Sequence, residues 1–206
     1  GVVFGLSTVW TMAVDIYYIN FTVLDSLDAA VQNAVIIVEN SETGNVIDSN
    51  TTDANGTLVI RLPATRVDIA VYWRNVLVHE EDGYVVSADA DKIITAAVYY
   101  IIFKAVDSMS VAVADATIVA FDQEEEPVSS VVTDIWGSAT MRLTVGTFHL
   151  ETRWHTVVVN TTDLEVASNI AEHQLVLSIF YIDFQVRDSR EVPLVGAILY
   201  SYRGGA

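Results

Sequence analysis

The twelve residues TTDANGTLVIRL, Thr51 to Leu62, are echoed 81 positions later by VTDIWGSATMRL, Val132 to Leu143. The two stretches share residue types as well as spacing, because Asp53, Gly56 and Arg61 each have an identical residue 81 positions later. Self-similarity at a fixed period is the signature of a repeat architecture. The chain is therefore predicted to be an array of similar units.

Other landmarks keep the same register. YYINFTVLDS at residue 17 returns as YYIIFKAVDS at residue 99 and as FYIDFQVRDS at residue 180, and Trp73 in VYWRNVLV matches Trp154 in TRWHTVVV. These landmarks predict four segments. They are the terminal strand of a preceding or neighbouring module (1–14), a first repeat (15–98), a second repeat (99–179) and a partial third repeat (180–206).

Apolar residues alternate with polar ones inside each repeat. Ile19, Phe21 and Val23 fall on one face of a segment in the first repeat, as Phe148 and Leu150 do in the second. A period of two indicates half-buried strands, and the Asp-x-x-Gly of DANG is typical of a tight hairpin turn. About seven short strands per repeat of about 81 residues predict an all-β fold of tandem immunoglobulin-like antiparallel β-sandwiches.

The passage between repeats is predicted to be short and stiff, since ITAAVYYIIF runs from the last strand of one repeat directly into the next. Some apolar residues fall on the outward phase of the strands, among them Tyr18, Tyr100 and Ile102. With a mean hydropathy of +0.40, the sequence predicts that neighbouring units cover part of this surface.

The shared pattern, V-x-D-S followed by A-x-V-x-V, T-D-x-x-G and V-x-V-x-W, resembles the carboxypeptidase-regulatory-like and related immunoglobulin-like modules that occur in tandem in extracellular proteins. In composition the chain is similar to archaeal S-layer and surface-filament proteins. The resemblance implies a non-enzymatic role and an extracellular, cell-surface location. Modules of this kind serve as spacers, adhesins and assembly units alike, so the fold does not choose among them.

The charge balance excludes one class of partner. The chain contains 10 Lys and Arg residues and 27 Asp and Glu residues, which gives a net charge of −17. Nucleic-acid binding requires basic side chains against phosphate, so no nucleic-acid partner is predicted. Residues 1–14 are too few for a membrane span of about 20 residues, so no direct membrane insertion is predicted. A pilin-type hydrophobic helix is the alternative for this segment, but its similarity to the residues before Tyr99 favours a strand.

No catalytic or cofactor-binding residues are predicted, because no known nucleophile, phosphate-binding or zinc motif occurs in the sequence. The acidic clusters HEEDG, DADK and DQEEE have the oxygen ligands that Ca²⁺ prefers, or are simply solvated turns. A possible Ca²⁺ ion is thus the one cofactor considered, with no ligands assigned. An isopeptide bond of Lys104 is not predicted, since the closing strand QLVLSIF contains no Asn.

Four N-x-[ST] sequons predict N-linked glycans on accessible residues, with chance occurrence in a Thr-rich chain as the alternative. The acceptor residues are Asn20, Asn50, Asn55 and Asn160. Asn20 falls on the outward phase of a strand, Asn50 and Asn55 flank a turn, and Asn160 is predicted to open a loop.

The sequence as a whole predicts a structural subunit of an extracellular filament or S-layer that forms a homopolymer. An adhesin or stalk that presents a binding domain elsewhere is the alternative, and accessory modules of a secreted glycan-processing enzyme come third. The predicted strands after Tyr181 leave Ile182, Phe184 and Val186 uncovered, and residues 1–14 have no preceding sheet. Either the chain belongs to a longer array, or neighbouring subunits complete one another by strand addition at these edges.

Overall fold

The computed structural model describes residues 15–200, which contain fourteen β-strands and no helix. The first seven strands are β1 (Ile16–Leu24), β2 (Val35–Asn40), β3 (Val46–Thr51), β4 (Thr57–Pro63), β5 (Arg66–Trp73), β6 (Val76–Val85) and β7 (Ala90–Thr95). The next seven are β8 (Val98–Val106), β9 (Thr117–Phe121), β10 (Pro127–Val132), β11 (Ser138–Thr144), β12 (Gly146–Trp154), β13 (Val157–Val166) and β14 (Ile170–Val176). The predicted all-β fold is confirmed.

The strands form two sandwiches of the same topology. The first sandwich pairs a three-stranded sheet, β4-β1-β7, with a four-stranded sheet, β3-β2-β5-β6. The second sandwich repeats this order as β11-β8-β14 and β10-β9-β12-β13. Each strand of the second sandwich thus has its counterpart seven strands earlier.

Each sandwich has its own apolar core between its two sheets. Ile19 and Phe21 of β1 pack in the same buried cluster as Val71 of β5, and Phe103 of β8 packs in the other cluster with Leu150 of β12. These side chains stand at alternate positions along their strands. The period of two in the sequence therefore marks the inner faces of both sandwiches.

The predicted antiparallel arrangement is wrong for one strand pair in each sandwich. β1 and β7 run parallel, with Ile19 opposite Ala90 and Leu24 opposite Thr95, and β8 and β14 are parallel as well. Because the first and last strands point the same way, the chain enters a sandwich at one end and leaves it at the other. The sandwiches therefore follow one another along the chain direction.

The passage between the sandwiches is as short as predicted, because only Ala96 and Ala97 separate β7 from β8. Its backbone is fully engaged in hydrogen bonds. The Ala96 amide donates to Leu24, the Ala97 amide to Val78, and the Val98 carbonyl accepts from Ser26. The same three bonds recur after β14, where Leu177, Ser178 and Ile179 take the equivalent places.

Six tight turns share one hydrogen-bond pattern. In each, Oδ1 of an aspartate accepts the amides two and four residues later, and the residue three positions later has a positive φ. Only two of these turns contain glycine at the positive-φ position, Gly56 and Gly137. A Cβ on Gly56 would lie 2.5 Å from the Val23 carbonyl oxygen, and one on Gly137 would lie 2.3 Å from that of Ala105. The six aspartates are Asp25, Asp53, Asp107, Asp122, Asp134 and Asp188.

The strands predicted after Tyr181 are absent from residues 180–200, where only an isolated bridge joins Arg187 and Pro193. Ile182 is 73% exposed and Phe184 61% exposed, since the described chain offers no sheet to cover them. The predictions for residues 1–14 and for the last six residues lie outside the described residues.

Candidate interaction site at the joints between units

Asp25 is the centre of the contact between the two sandwiches, which we call the first joint. It directly follows β1, is fully buried, and uses Oδ1 to accept the Leu27 and Ala29 amides of its own turn. Its Oδ2 accepts a hydrogen bond of 2.8 Å from the Tyr100 hydroxyl on β8. One carboxylate therefore caps a turn of the first sandwich and binds the second.

Arg142 on β11 completes the charge pairing. Its Nη2 lies 2.7 Å from Asp25 Oδ2 and also donates to the Ala30 carbonyl at 3.2 Å. The guanidinium carbon lies 5.8 Å from the centre of the Tyr100 ring and 5.2 Å from that of Trp73, a residue of the first sandwich. Arg142 thus contacts the first sandwich through an ion pair, a carbonyl and an aromatic ring.

Trp73 forms the wall of this joint together with Arg74. The indole is 8% exposed, packs in the core of the first sandwich, and donates its Nε1–H to the Gln32 carbonyl at 3.1 Å. The Arg74 guanidinium lies 4.3 Å from the indole ring centre and donates to the Val128 carbonyl of the second sandwich at 2.8 Å. A cleft of about 570 Å³ lies at this joint, and its lining includes Trp73, Arg74 and Arg142.

Ser26 and Asn169 form a second polar contact at the first joint. The Ser26 hydroxyl donates to Asn169 Oδ1 at 2.8 Å, and the same oxygen accepts the Tyr100 amide at 2.8 Å. Asn169 therefore aligns the start of β8 and the turn after β1 at once.

The second joint, between the second sandwich and residues 180–200, repeats the central bond. Asp107 caps its turn through Oδ1, and its Oδ2 accepts the Tyr181 hydroxyl at 2.6 Å. Trp154 donates to the Ala114 carbonyl at 3.2 Å and contacts the His155 ring at 4.2 Å. His155 thus stands where Arg74 stands in the first joint.

The hydrogen bonds, burial and charges at the two joints shift the pKa values of four side chains. The Tyr181 hydrogen bond holds the pKa of Asp107 below its ordinary value, and the same bond raises the pKa of Tyr181. Desolvation, followed by the Asp25 hydrogen bond, raises the pKa of Tyr100. Desolvation and the nearby Arg142 lower the pKa of Arg74. Both tyrosines therefore stay protonated, and able to donate, to a higher pH than an ordinary tyrosine.

The four predicted glycan acceptors differ in environment. Asn50 on β3 and Asn55 in the Asp53 turn are exposed. Asn20 on β1 is half-buried, and its Nδ2 donates to Asp91 at 3.1 Å.

The predicted loop position of Asn160 is wrong, and the residue is half-buried, as Asn20 is. It lies inside β13, opposite Thr152 of β12, and its Nδ2 donates to the Val176 carbonyl at 3.1 Å. The strand continues past the sequon because β12 and β13 pair up to Gly146 and Val166.

The acidic clusters do not converge. Within residues 15–200 no group of three or more His, Asp or Glu side chains comes together in a way that could hold a metal ion. HEEDG lies within β6 rather than in a turn, and its Glu81 pairs with Lys92 at 2.6 Å. DQEEE is one of the six aspartate-capped turns, with Asp122 Oδ1 accepting the Glu124 and Glu126 amides.

The joint residues were not predicted as a site, although their signal is in the sequence. Asp25 recurs at positions 107 and 188, and Tyr18 recurs at 100 and 181. A repeated outward Tyr and a repeated Asp at the end of the same strand could have indicated a bond from one unit to the next. The predicted covering of Tyr100 by a neighbouring unit is what the first joint provides.

No protein-family model matches the chain, and neither does any curated protein sequence. Solved structures with some similarity include the Bacillus anthracis TIE protein, with 16% identity and a TM-score of 0.37 over 80% of this chain and 34% of that one. The shaft pilin SpaA from Lactobacillus rhamnosus GG has 11% identity and a TM-score of 0.38 over 81% of this chain and all of that one.

GBS52, the minor pilin of Streptococcus agalactiae, has 10% identity and a TM-score of 0.39 over 83% of this chain and all of its own. Because these scores lie below 0.5, the proposals that follow rest on the strands and contacts of the chain itself. The resemblance to archaeal S-layer proteins stays a prediction. In residues 15–200 there is no helix of the length and apolarity needed to cross a membrane.

Proposed function

We propose that the chain is a non-enzymatic structural subunit of an extracellular surface assembly, a filament or S-layer, in which identical subunits polymerise at the cell surface. The observation that carries this proposal is the joint. The same Asp–Tyr bond and the same backbone bonds join successive units twice within one chain. A protein that builds one connection repeatedly along its length is suited to forming an extended array of units that contact only their neighbours.

The direction of the strands supports the same role. Since β1 and β7 are parallel, and β8 and β14 are parallel, each sandwich receives the chain at one end and passes it on at the other. Successive units can then be added without a change of direction. We propose module boundaries at 1–14, 15–98, 99–179 and 180–206 on this basis.

The proposed mode of polymerisation is strand addition. Residues 180–186 correspond to β1 and β8 but have no partner strand in the described chain. In both sandwiches the equivalent strand pairs in parallel with the segment that leads into the next unit. Residues 1–14 of a neighbouring subunit lead into its β1 and would supply this segment.

N-linked glycans complete the proposed surface of the assembly. Of the four sequons, Asn50 and Asn55 are the most accessible acceptors. Asn20 and Asn160 would have to give up the hydrogen bonds of their Nδ2 atoms to Asp91 and Val176. Glycopeptide mass spectrometry of the native protein is expected to show higher occupancy at the first pair, and four unmodified acceptors would refute the glycan proposal.

Electron microscopy of the purified protein tests the proposed function. Regular polymers or sheets are expected, and deletion of residues 1–14 should abolish them while both sandwiches stay folded by circular dichroism. Polymerisation of the truncated protein at the normal rate would refute strand addition. A full chain that remains a monodisperse monomer would refute the assembly role and favour the alternative of a stalk or adhesin spacer.

A further inference from the structure

The entry end of the first sandwich presents the same residues that the second sandwich uses to bind its predecessor. Tyr18 is the counterpart of Tyr100, and Arg61 is the counterpart of Arg142. The Arg61 guanidinium lies 5.7 Å from the centre of the Tyr18 ring, against 5.8 Å for the pair at the first joint. One half of a joint is thus already assembled at this end.

The difference lies in what covers the two pairs. Tyr18 is 52% exposed and Arg61 is exposed, whereas Tyr100 and Arg142 are half-buried against Asp25. Within the described chain the Tyr18 hydroxyl has no hydrogen-bond partner and Arg61 has no carboxylate. The Tyr18 amide does have its partner, since Asp89 Oδ1 accepts it at 2.8 Å as Asn169 accepts that of Tyr100.

The other half of a joint is present at the far end of the described chain. Asp188 Oδ1 accepts the Arg190 and Val192 amides, both at 2.9 Å, and the turn has the geometry of those at Asp25 and Asp107. In those two turns Oδ2 binds the tyrosine of the next unit. The Asp188 Oδ2 atom has no such partner among residues 15–200.

We propose that Asp188 of one copy of the chain binds Tyr18 and Arg61 of a second copy, which rebuilds the first joint between two molecules. Asp188 Oδ2 then accepts the Tyr18 hydroxyl and pairs with the Arg61 guanidinium. This inference rests on the proposed homopolymer and names the contact that sets its register. Residues 1–14 of the second copy lead directly to Tyr18, so strand addition and this contact occur at the same end.

Charge complementarity favours a second copy as the occupant. The chain has a net charge of −17, and within residues 15–200 Arg61 pairs with no carboxylate at one end while Asp188 Oδ2 binds no tyrosine hydroxyl at the other. Head-to-tail contact unites them, while head-to-head contact would bring the two Arg61 side chains together. The two joints within the chain show that the geometry is reachable, because the same Asp–Tyr bond forms in both.

Sedimentation velocity of the full chain as a function of concentration tests the contact. Asp188→Asn keeps the Oδ1 acceptor of the turn but removes the charge on Oδ2, so the turn should survive while association weakens. We expect Asp188→Asn and Arg61→Ala each to weaken self-association by about tenfold to hundredfold, the range for a charge-assisted hydrogen bond. Asp122→Asn and Arg66→Ala are the matched controls and should associate like the wild type.

Thiol cross-linking gives an independent measurement, since the chain contains no cysteine. A mixture of Asp89→Cys and Ser189→Cys chains, which keep Tyr18, Arg61 and Asp188, should give mixed dimers with a short bifunctional thiol reagent, and neither chain alone should. Ser26→Cys with Asn169→Cys in one chain is the positive control for reach, because these two side chains are in contact at the first joint. Normal association of the Asp188→Asn and Arg61→Ala chains would refute this contact and leave the assembly role standing, whereas a monomeric wild type would refute both.

Discussion

The two joints of the molecule are built on the same bond but differ in how much surrounds it. At the first joint, Asp25 meets Tyr100 and Arg142, and Arg74 reaches across to Val128. At the second, Tyr181 is the one side chain among residues 180–200 that binds Asp107. Tyr181 is 63% exposed although its hydrogen bond is the shorter of the two.

The difference shows which parts of the joint depend on a complete neighbour. The Asp–Tyr bond needs only the first strand of the following unit, because the tyrosine lies at its start. The ion pair needs the strand that carries Arg142, which belongs to the body of that unit. Both carboxylates are buried, so it is the burial of the tyrosine and the pairing of the carboxylate with a cation that increase as a unit is completed. The incomplete unit is held by the Asp–Tyr bond and by the backbone bonds of the passage.

The largest expected effect comes from a substitution in the turn that leads into β11, the strand of Arg142. Gly137→Ala places a Cβ 2.3 Å from the Ala105 carbonyl and strains a φ of +71°. We expect a loss of about 3–4 kcal/mol in the free energy of unfolding of the second sandwich, since a left-handed residue costs about 1–2 kcal/mol before the clash is added. Urea denaturation measures it. Gly44→Ala has a φ of +67° and no atom within 4 Å, so a loss as large as that of Gly137→Ala would contradict the explanation.

A direct comparison of the joints comes next. Asp25→Asn leaves its turn intact but faces Arg142 with a neutral amide, and we expect a loss of about 2–3 kcal/mol. Asp107→Asn should cost less than Asp25→Asn, because the tyrosine that loses its partner is exposed. Urea denaturation of both variants, with Asp122→Asn as the control, checks the order. Equal losses would show that Arg142 adds nothing to the first joint.

A smaller change converts one joint into the other. Arg74→His installs the residue found at position 155 and removes the hydrogen bond to the Val128 carbonyl. We expect a loss of about 0.5–1.5 kcal/mol, the net value of one hydrogen bond. Differential scanning calorimetry measures this loss as a fall in the unfolding temperature of the chain. His155→Arg should gain nothing, because no later sandwich in the described chain offers a carbonyl.

The smallest effect is expected from titration of the tyrosines. Since the pKa of Tyr100 in the folded chain lies above its ordinary value of 10.0, its contribution to stability is complete below that pH. The contribution is lost as the pH rises through the raised value. Tyr100→Phe should flatten the alkaline fall of the free energy of unfolding. An unchanged alkaline slope would contradict the role of this hydroxyl.

The second joint should respond to acid as well. The pKa of Asp107 lies below its ordinary value of 3.8, so its contribution is complete above that pH and disappears as the pH falls through the lowered value. Asp107→Asn should remove this acid dependence, measured by urea denaturation between about pH 2 and 5.

The sequence predicted the strands well because their signal is local. Alternation at Ile19, Phe21 and Val23 predicts an inner face. In the DANG turn, Gly56 predicts the positive φ. In the other four of the six aspartate-capped turns, the positive φ could not be predicted from glycine. The residues that adopt it are Asp28, Ser110, Glu125 and Glu191. Their aspartates supply the turn chemistry instead.

The parallel pairs and the joint could not be predicted from local pattern. Strand direction in a sheet depends on which ends meet, and β1 meets β7 across some 70 residues of chain. Asp25 likewise looks like an ordinary turn residue until the fold brings Tyr100 and Arg142 to it from 75 and 117 positions away. Asn160 was misplaced for a similar reason, because only the pairing of β12 with β13 shows that the strand continues through its sequon.

The central claim is that the Asp25 joint fixes one sandwich against the next. Pulsed electron–electron double resonance measures the distance between two spin labels, one on each sandwich. The labels are attached at Glu42→Cys and Glu124→Cys, since both residues are exposed and no other cysteine is present. We expect a single narrow distance distribution in the otherwise wild-type chain, and a broad one when Asp25→Asn and Arg142→Ala are added. A broad distribution in the wild-type background, or a narrow one that survives both substitutions, would contradict the account.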